Sequence, residues 1–457
     1  STLLGLVAFG LMAHYLGAEQ FGWYTTAISF LQFVGIMTDF GMTPVTAQMM
    51  SEPRFDKKTL FQNLLGFRLV TAVVFLGLAP LLALLFPYPT PVKIAIAFTS
   101  ISFMAIAMNQ VLVGLYQTKL KMHIVSIGEV IGRVALVVGV WFVVYRGFGY
   151  LSIMGVITVS SLVYKAILWR RGRRETAIGL GFDRQIWRAI TAKMWPIAIS
   201  IVFNVVYLKG DVILLSLYVP QSDVGIYGAA YRILDVMTQS AMMLMGVLLP
   251  LLTFSWSRQD TKEFKKRYQQ SFDAMMLFAI PMMVGAIALS DKIITLIFGP
   301  AFQASGPILA LLSIAVFGVY LGAVFGHTAV AINKQKQTMW IYISDAIITL
   351  IGYLIFIPRF GLIGAAGMSV FSELYAGVLL YLSVRHWSHT PLLWKTTGKI
   401  ILASIIMGGV LYLLPPMHVL LLIMVGIVTF GAAAVGLRTV SPETIREIFV
   451  WRGGGDR

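Results

Sequence analysis

Fourteen apolar runs separated only by short polar breaks occupy most of this chain, and that pattern leaves few folds open. A bilayer core offers no water to backbone N–H and C=O groups, so a spanning segment must satisfy them within itself. A helix of about 20 apolar residues does this across roughly 30 Å. The runs lie near 1–16, 21–49, 60–86, 92–115, 123–145, 150–170, 187–217, 223–251, 268–298, 303–331, 338–357, 361–384, 396–415 and 417–438. Hydrophobic residues make up 58% of the chain and charged residues 12%, with a mean hydropathy of +0.84. A water-soluble domain could not bury that much apolar surface. The expected fold is an all-α membrane protein of about fourteen transmembrane helices. The first run is short and opens on Ser1 without a Met, so further N-terminal residues are expected upstream.

The runs are duplicated. Tyr15, Gly22 and Tyr24 recur as Tyr218, Gly225 and Tyr227 at a constant offset of 203, each set in a break between two apolar runs. Phe148, Gly149 and Gly155 match Phe360, Gly361 and Gly367 at an offset of 212, and Glu129 matches Asp345 at 216. Three matches in one order at nearly one offset predict two parallel six-helix repeats. The corresponding division is 1–184 for the N-terminal lobe, 185–385 for the C-terminal lobe, 386–440 for two additional helices and 441–457 for a tail. Ser441-Pro442-Glu443 is a helix start, and Ile445, Ile448, Phe449 and Arg452 fall on related turns, so the tail is expected to form a short amphipathic cytoplasmic helix.

Charge sets the orientation. Arg54, Lys57, Lys58, Lys119, Lys121, the Arg170–Arg184 stretch, Arg258 to Arg267, Lys334, Lys336, Arg385 and Lys395 put 19 basic residues on alternate loops, against 4 on the opposite loops. The positive-inside rule places the first set, and both termini, in the cytoplasm. This bias and attraction to anionic membrane lipids account for the net charge of +16, with no call for nucleic acid. His386 and His389 lack Cys or carboxylate neighbours and are read as interfacial, so no metal site and no cofactor are expected. No phosphate loop, zincin motif or supported Ser-His-Asp set is present, and no catalytic residue is assigned.

Charges inside apolar runs are the functional signal, since each would cost at least about 2.5–3.5 kcal/mol facing lipid. Those singled out are Asp39, Arg68, Glu129, Arg133, Lys209, Asp211, Arg232, Asp235, Asp345 and Glu373. Asp211 and Arg232 are at depths that allow them to meet, and Glu129 and Arg133 are spaced i, i+4. Structural ion pairs are one account of these charges. Ten ionisable positions on seven helices favour another, a polar cavity in which Arg68, Arg133, Lys209 and Arg232 bind an anionic head group while the acids pair with them or carry a coupling cation.

With the break Leu16-Gly17-Ala18-Glu19-Gln20-Phe21-Gly22-Trp23-Tyr24, the string Thr38-Asp39-Phe40-Gly41-Met42, the stretch Asp211 to Arg232 and Phe360-Gly361-Leu362-Ile363-Gly364, the chain resembles the polysaccharide transporter branch of the MOP exporter superfamily, the Wzx-type flippases. The resemblance implies two lobes in a V, alternating access, and transfer of an undecaprenyl-diphosphate-linked oligosaccharide from the inner to the outer leaflet of a bacterial or archaeal cell membrane. It also implies partners in a polysaccharide polymerase and glycosyltransferases. The alternatives are a cation-coupled exporter of drugs or small amphiphiles, and a membrane glycosyltransferase or ligase.

The chain contains no cysteine, which makes orientation testable with single introduced ones. Cysteine at Ser222 should label in intact cells and cysteine at Thr176 only after permeabilisation. Equal labelling of both in intact cells would overturn the assignment.

Overall fold

The computed structural model describes residues 2–39, 42–51, 55–415 and 417–439, without the side chains of 39, 43, 44, 47, 51 and 196–209. The expected tail helix therefore lies outside the described residues. The elements are α1 (Thr2–Asp39), α2 (Met42–Ser51), α3 (Lys57–Leu84), α4 (Thr90–Thr118), α5 (Met122–Arg146), α6 (Tyr150–Gly172), α7 (Arg184–Tyr218), α8 (Gln221–Ser257), α9 (Thr261–Phe298), α10 (Ser305–Ala331), α11 (Gln335–Ser388), α12 (Lys395–Leu413) and α13 (Val419–Gly436), with a three-residue turn at Pro300–Phe302.

Two of these helices are double. At 54 residues α11 would run about 80 Å if straight, far more than one crossing requires. It is broken at Gly361, and α1 at Gly17, where φ is +54° and +67°. Only glycine takes such angles without strain, which is why each break carries one. Dividing α1 and α11 there, and counting α2 with the second half of α1, recovers the fourteen helices read from the sequence.

The chain forms two compact units. The first comprises Ser1–Ala229, Ile297–Phe302 and Tyr342–Met368, and the second Ala230–Leu296, Gln303–Ile341 and Ser369–Arg457. These units follow packing, whereas the 184/185 and 385/386 boundaries follow the duplication, so α7 packs with the helices of the first repeat. In the first unit, Met42, Leu60, Leu64, Met108, Leu112, Leu168 and Ile190 share one apolar core. The linker after α6 lies along the start of α3: Gly181 N donates to Gln62 O at 2.8 Å, and Asp183 N to Asn63 Oδ1 at 2.7 Å. Lys121 holds the same linker through Glu175 at 2.7 Å.

The duplicated breaks meet within the first unit. A Cβ on Gly22 would lie 1.7 Å from Gln221 O, and one on Gly225 would lie 2.0 Å from Ala18 O. Ala18 and Gln221 are themselves equivalent under the offset of 203, so the contact is self-complementary. Thr26 Oγ1 adds a hydrogen bond to Gln221 Oε1 at 2.8 Å. Small residues are what allow two helix backbones to come this close.

In the second unit Leu289, Met407, Leu411 and Leu422 form a smaller core. Beside it an apolar cavity of about 730 Å³ lies among α8, α9, α12 and α13, lined by Met237, Phe278, Pro281, Met407 and Phe430 among others.

Backbone contact at Gly22 leaves no room for a methyl group. Gly22→Ala should destabilise the purified protein by about 1–3 kcal/mol, as overpacking does. Gly246→Ala, where nothing lies within 4 Å, should melt at the parental temperature or slightly above. Indistinguishable melting of Gly22→Ala and the parent would contradict the close approach.

Candidate functional site

Intramembrane charges persist only if protein or water satisfies them, so their partners separate braces from binding groups. Arg68 on α3 has no exposed surface. Its Nε donates to Ala107 O on α4 at 3.0 Å, and its Nη1 donates to Thr38 O on α1. One guanidinium thus ties three helices through backbone carbonyls. The sequence expected Arg68 to touch a ligand; here its guanidinium is buried and two of its donors are taken by those carbonyls.

Asp211 on α7 is 1% exposed and accepts hydrogen bonds from Tyr227 Oη and Val212 N, both at 2.7 Å. Asp345 on α11 is fully buried and accepts from Thr349 Oγ1, one turn on, at 3.1 Å. In the second unit Arg232 pairs with Asp235 at 3.4 Å, their side chains 21% and 39% exposed. Glu373 is half-buried on α11, where Gly318 of α10 packs against its backbone. Asp39 and Lys209 sit on α1 and α7, and their side chains lie outside the described residues. Tyr227 and Thr349 were missed as partners by sequence reasoning. Tyr227 did carry a signal, as the closing residue of the repeated break.

Arg133 and Glu129 differ from the rest. Both are half-buried on α5, and among the described residues they form no ion pair with each other despite their i, i+4 spacing. Arg133 accordingly has no hydrogen-bond acceptor or carboxylate among the described residues. The backbone of α1 passes beside it: a Cβ on Gly5 would lie 3.5 Å from Nη1 and 3.8 Å from Cζ. Counts along both helices agree on depth. Gly5 lies twelve residues before the break at Gly17, and Arg133 thirteen before the end of α5 at Arg146, which is about 18–20 Å in each case. That is well inside a core of roughly 30 Å.

The neighbouring face explains why α5 holds Arg133 there. A Cβ on Gly128 would lie 2.7 Å from Leu168 Cδ1, and one on Gly132 would lie 3.1 Å from Tyr164 Cβ, so α5 is seated tightly on α6. By contrast, the cavity of the second unit has no ionisable residue in its lining and offers nothing to a charged head group. Among the described residues no cluster of His, Asp or Glu could hold a metal ion.

This architecture is shared with solved membrane proteins. A lipid II flippase (MurJ) in an inward closed conformation superposes with a TM-score of 0.79 at 18% identity, over 96% of this chain and 97% of the other. An inward-facing MATE family multidrug transporter of the MOP superfamily gives 0.70 at 14% identity, over 85% and 95%. Residues 11–307 match the model of the family described as "Polysaccharide biosynthesis protein", and the chain belongs to that family. It is similar to the probable low-salt glycan biosynthesis flippase Agl15 of Haloferax volcanii, 21% identical over 89% of this chain and 85% of that protein. It is also similar to a putative O-antigen transporter of Shigella flexneri, 22% identical over 80% of this chain and 90% of the other.

Burial ranks the hydrogen bonds. Tyr227→Phe leaves the Asp211 carboxylate short of a donor and should lower stability by about 1–3 kcal/mol. Asp235→Asn removes a partly exposed pair and should cost at most about 1 kcal/mol. Thermal melting of both variants in one detergent tests the order, and the reverse order would refute the burial argument.

Proposed function

We propose that the protein is a flippase that moves an undecaprenyl-diphosphate-linked oligosaccharide from the inner to the outer leaflet of the cell membrane by alternating access, for cell-surface polysaccharide synthesis. The observation that carries this is the family match over residues 11–307, supported by relatives named as a glycan flippase and an O-antigen transporter. Both termini are cytoplasmic in this reading. The glycosyltransferases that build the glycan and the polymerase that extends it are its functional partners. It is a transporter and carries out no bond chemistry on the glycan.

The physical problem for such a protein is the diphosphate. Its desolvation in hydrocarbon costs far more than tail contacts return, so cations must meet it near mid-depth. Arg133 suits the task, having no ion pair to give up among the described residues. Arg guanidinium also matches phosphate bidentately, which Lys does not. Arg232 and Lys209 complete the proposed cationic set. Arg68 supports it as a brace in the present conformation, and a role in first capture would require its buried guanidinium to become exposed. Asp39, Glu129, Asp211, Asp235, Asp345 and Glu373 pair with these cations or carry the coupling ion.

Translocation of a fluorescent undecaprenyl-diphosphate glycan in proteoliposomes tests the proposal. The parent should flip it, Arg133→Ala should nearly abolish flipping at normal protein level, and Arg133→Lys should keep part of the rate. Parental flipping by Arg133→Ala would remove that residue from the site. No glycan flipping together with cation-driven efflux of a small amphiphile would favour the exporter.

A further inference from the structure

Arg133 is the only proposed ligand whose surroundings in the first unit are described and whose donors remain untaken, so what positions it matters. The seat is not a side chain. Gly5 presents bare backbone to the guanidinium, with Nη1 3.5 Å and Cζ 3.8 Å from the place a Cβ would take, and Phe9 Cε2 lies at 3.9 Å from the same point. A methyl group fits at those distances. Anything longer would enter a space bounded by the Phe9 ring and the Arg133 guanidinium.

Of those boundaries the guanidinium is the one that gives way. It is the far end of a flexible side chain, and it has no hydrogen bond or ion pair with any described residue to hold it. The helix behind it is fixed, because Gly128 and Gly132 seat α5 against Leu168 and Tyr164 with no slack. Enlarging residue 5 therefore moves the charge and leaves α5 in place.

We infer that Gly5 is a positioning residue for the phosphate head group: its missing side chain sets where the Arg133 guanidinium stands, and through that how tightly a polyprenyl diphosphate binds. This rests on the assignment of Arg133 as a diphosphate ligand. A purely structural Gly5 would show its effect in melting temperature and protein level, whereas a positioning Gly5 shows it in affinity, and only while Arg133 is present.

The test measures binding of fluorescent undecaprenyl diphosphate to the full-length protein in detergent, with melting temperature and protein level recorded for each variant. Gly5→Ala should bind like the parent. Gly5→Val and Gly5→Leu should bind progressively more weakly, reaching about tenfold, the scale of one lost charge-assisted hydrogen bond. In the Arg133→Ala background, Gly5→Val should cause no further loss. Should Gly5→Leu fail to accumulate, the Ala and Val variants carry the comparison by themselves. Parental affinity in Gly5→Val, or losses that add to those of Arg133→Ala, would overturn the role of Gly5 while leaving Arg133 as a ligand. Parental affinity in Arg133→Ala would overturn both.

Discussion

The absence of water from the bilayer core is the constraint on which the rest of this structure depends. Backbone groups can then be satisfied only inside each segment, which makes every span a helix, and charges can persist only where protein or solvent meets them. The ionisable residues inside the apolar runs are a direct record of that second requirement. Arg68 meets it with the carbonyls of Thr38 and Ala107, and Asp211 with the hydroxyl of Tyr227. Among the described residues Arg133 meets it with no side-chain or backbone acceptor, and a charge kept in the membrane without one needs a polar ligand or water to justify its cost.

Duplication supplies the second organising constraint. Here the repeated break packs against its own copy. Gly22 meets Gln221 while Gly225 meets Ala18, two halves of one symmetric contact. A substitution at either glycine therefore strikes both repeats at once. The same sequence feature that revealed the duplication also makes the contact, since only residues without side chains allow the backbones to cross so closely.

Similar charges end in different roles because their neighbours differ. Arg68 and Arg133 are both arginines in apolar helices of the first unit, yet one is fully buried on carbonyls from two other helices and the other is half-buried beside a glycine. Pairing at i, i+4 along α5 was available to Glu129 and Arg133 and is not used, whereas Arg232 and Asp235 pair at i, i+3. A bound anionic substrate competes best for a cation that has no internal acceptor, and this is the ground on which Arg133 is proposed as the ligand.

Sequence alone determined the helices and their breaks. Apolar run length sets each span, and positive φ at Gly17 and Gly361 requires the residue type that marks those breaks. It also determined the duplication and the set of charges that must be satisfied, because periodicity, composition and desolvation cost are properties of the chain itself. Only the tertiary structure decided which charges are already satisfied. That choice depends on carbonyls and hydroxyls brought close by packing, such as Thr38 O, 30 residues from Arg68, and Ala107 O, 39 residues away. Backbone carbonyls carry no sequence signature, so an arginine bound to them and an arginine beside a bare glycine look alike until the helices are packed.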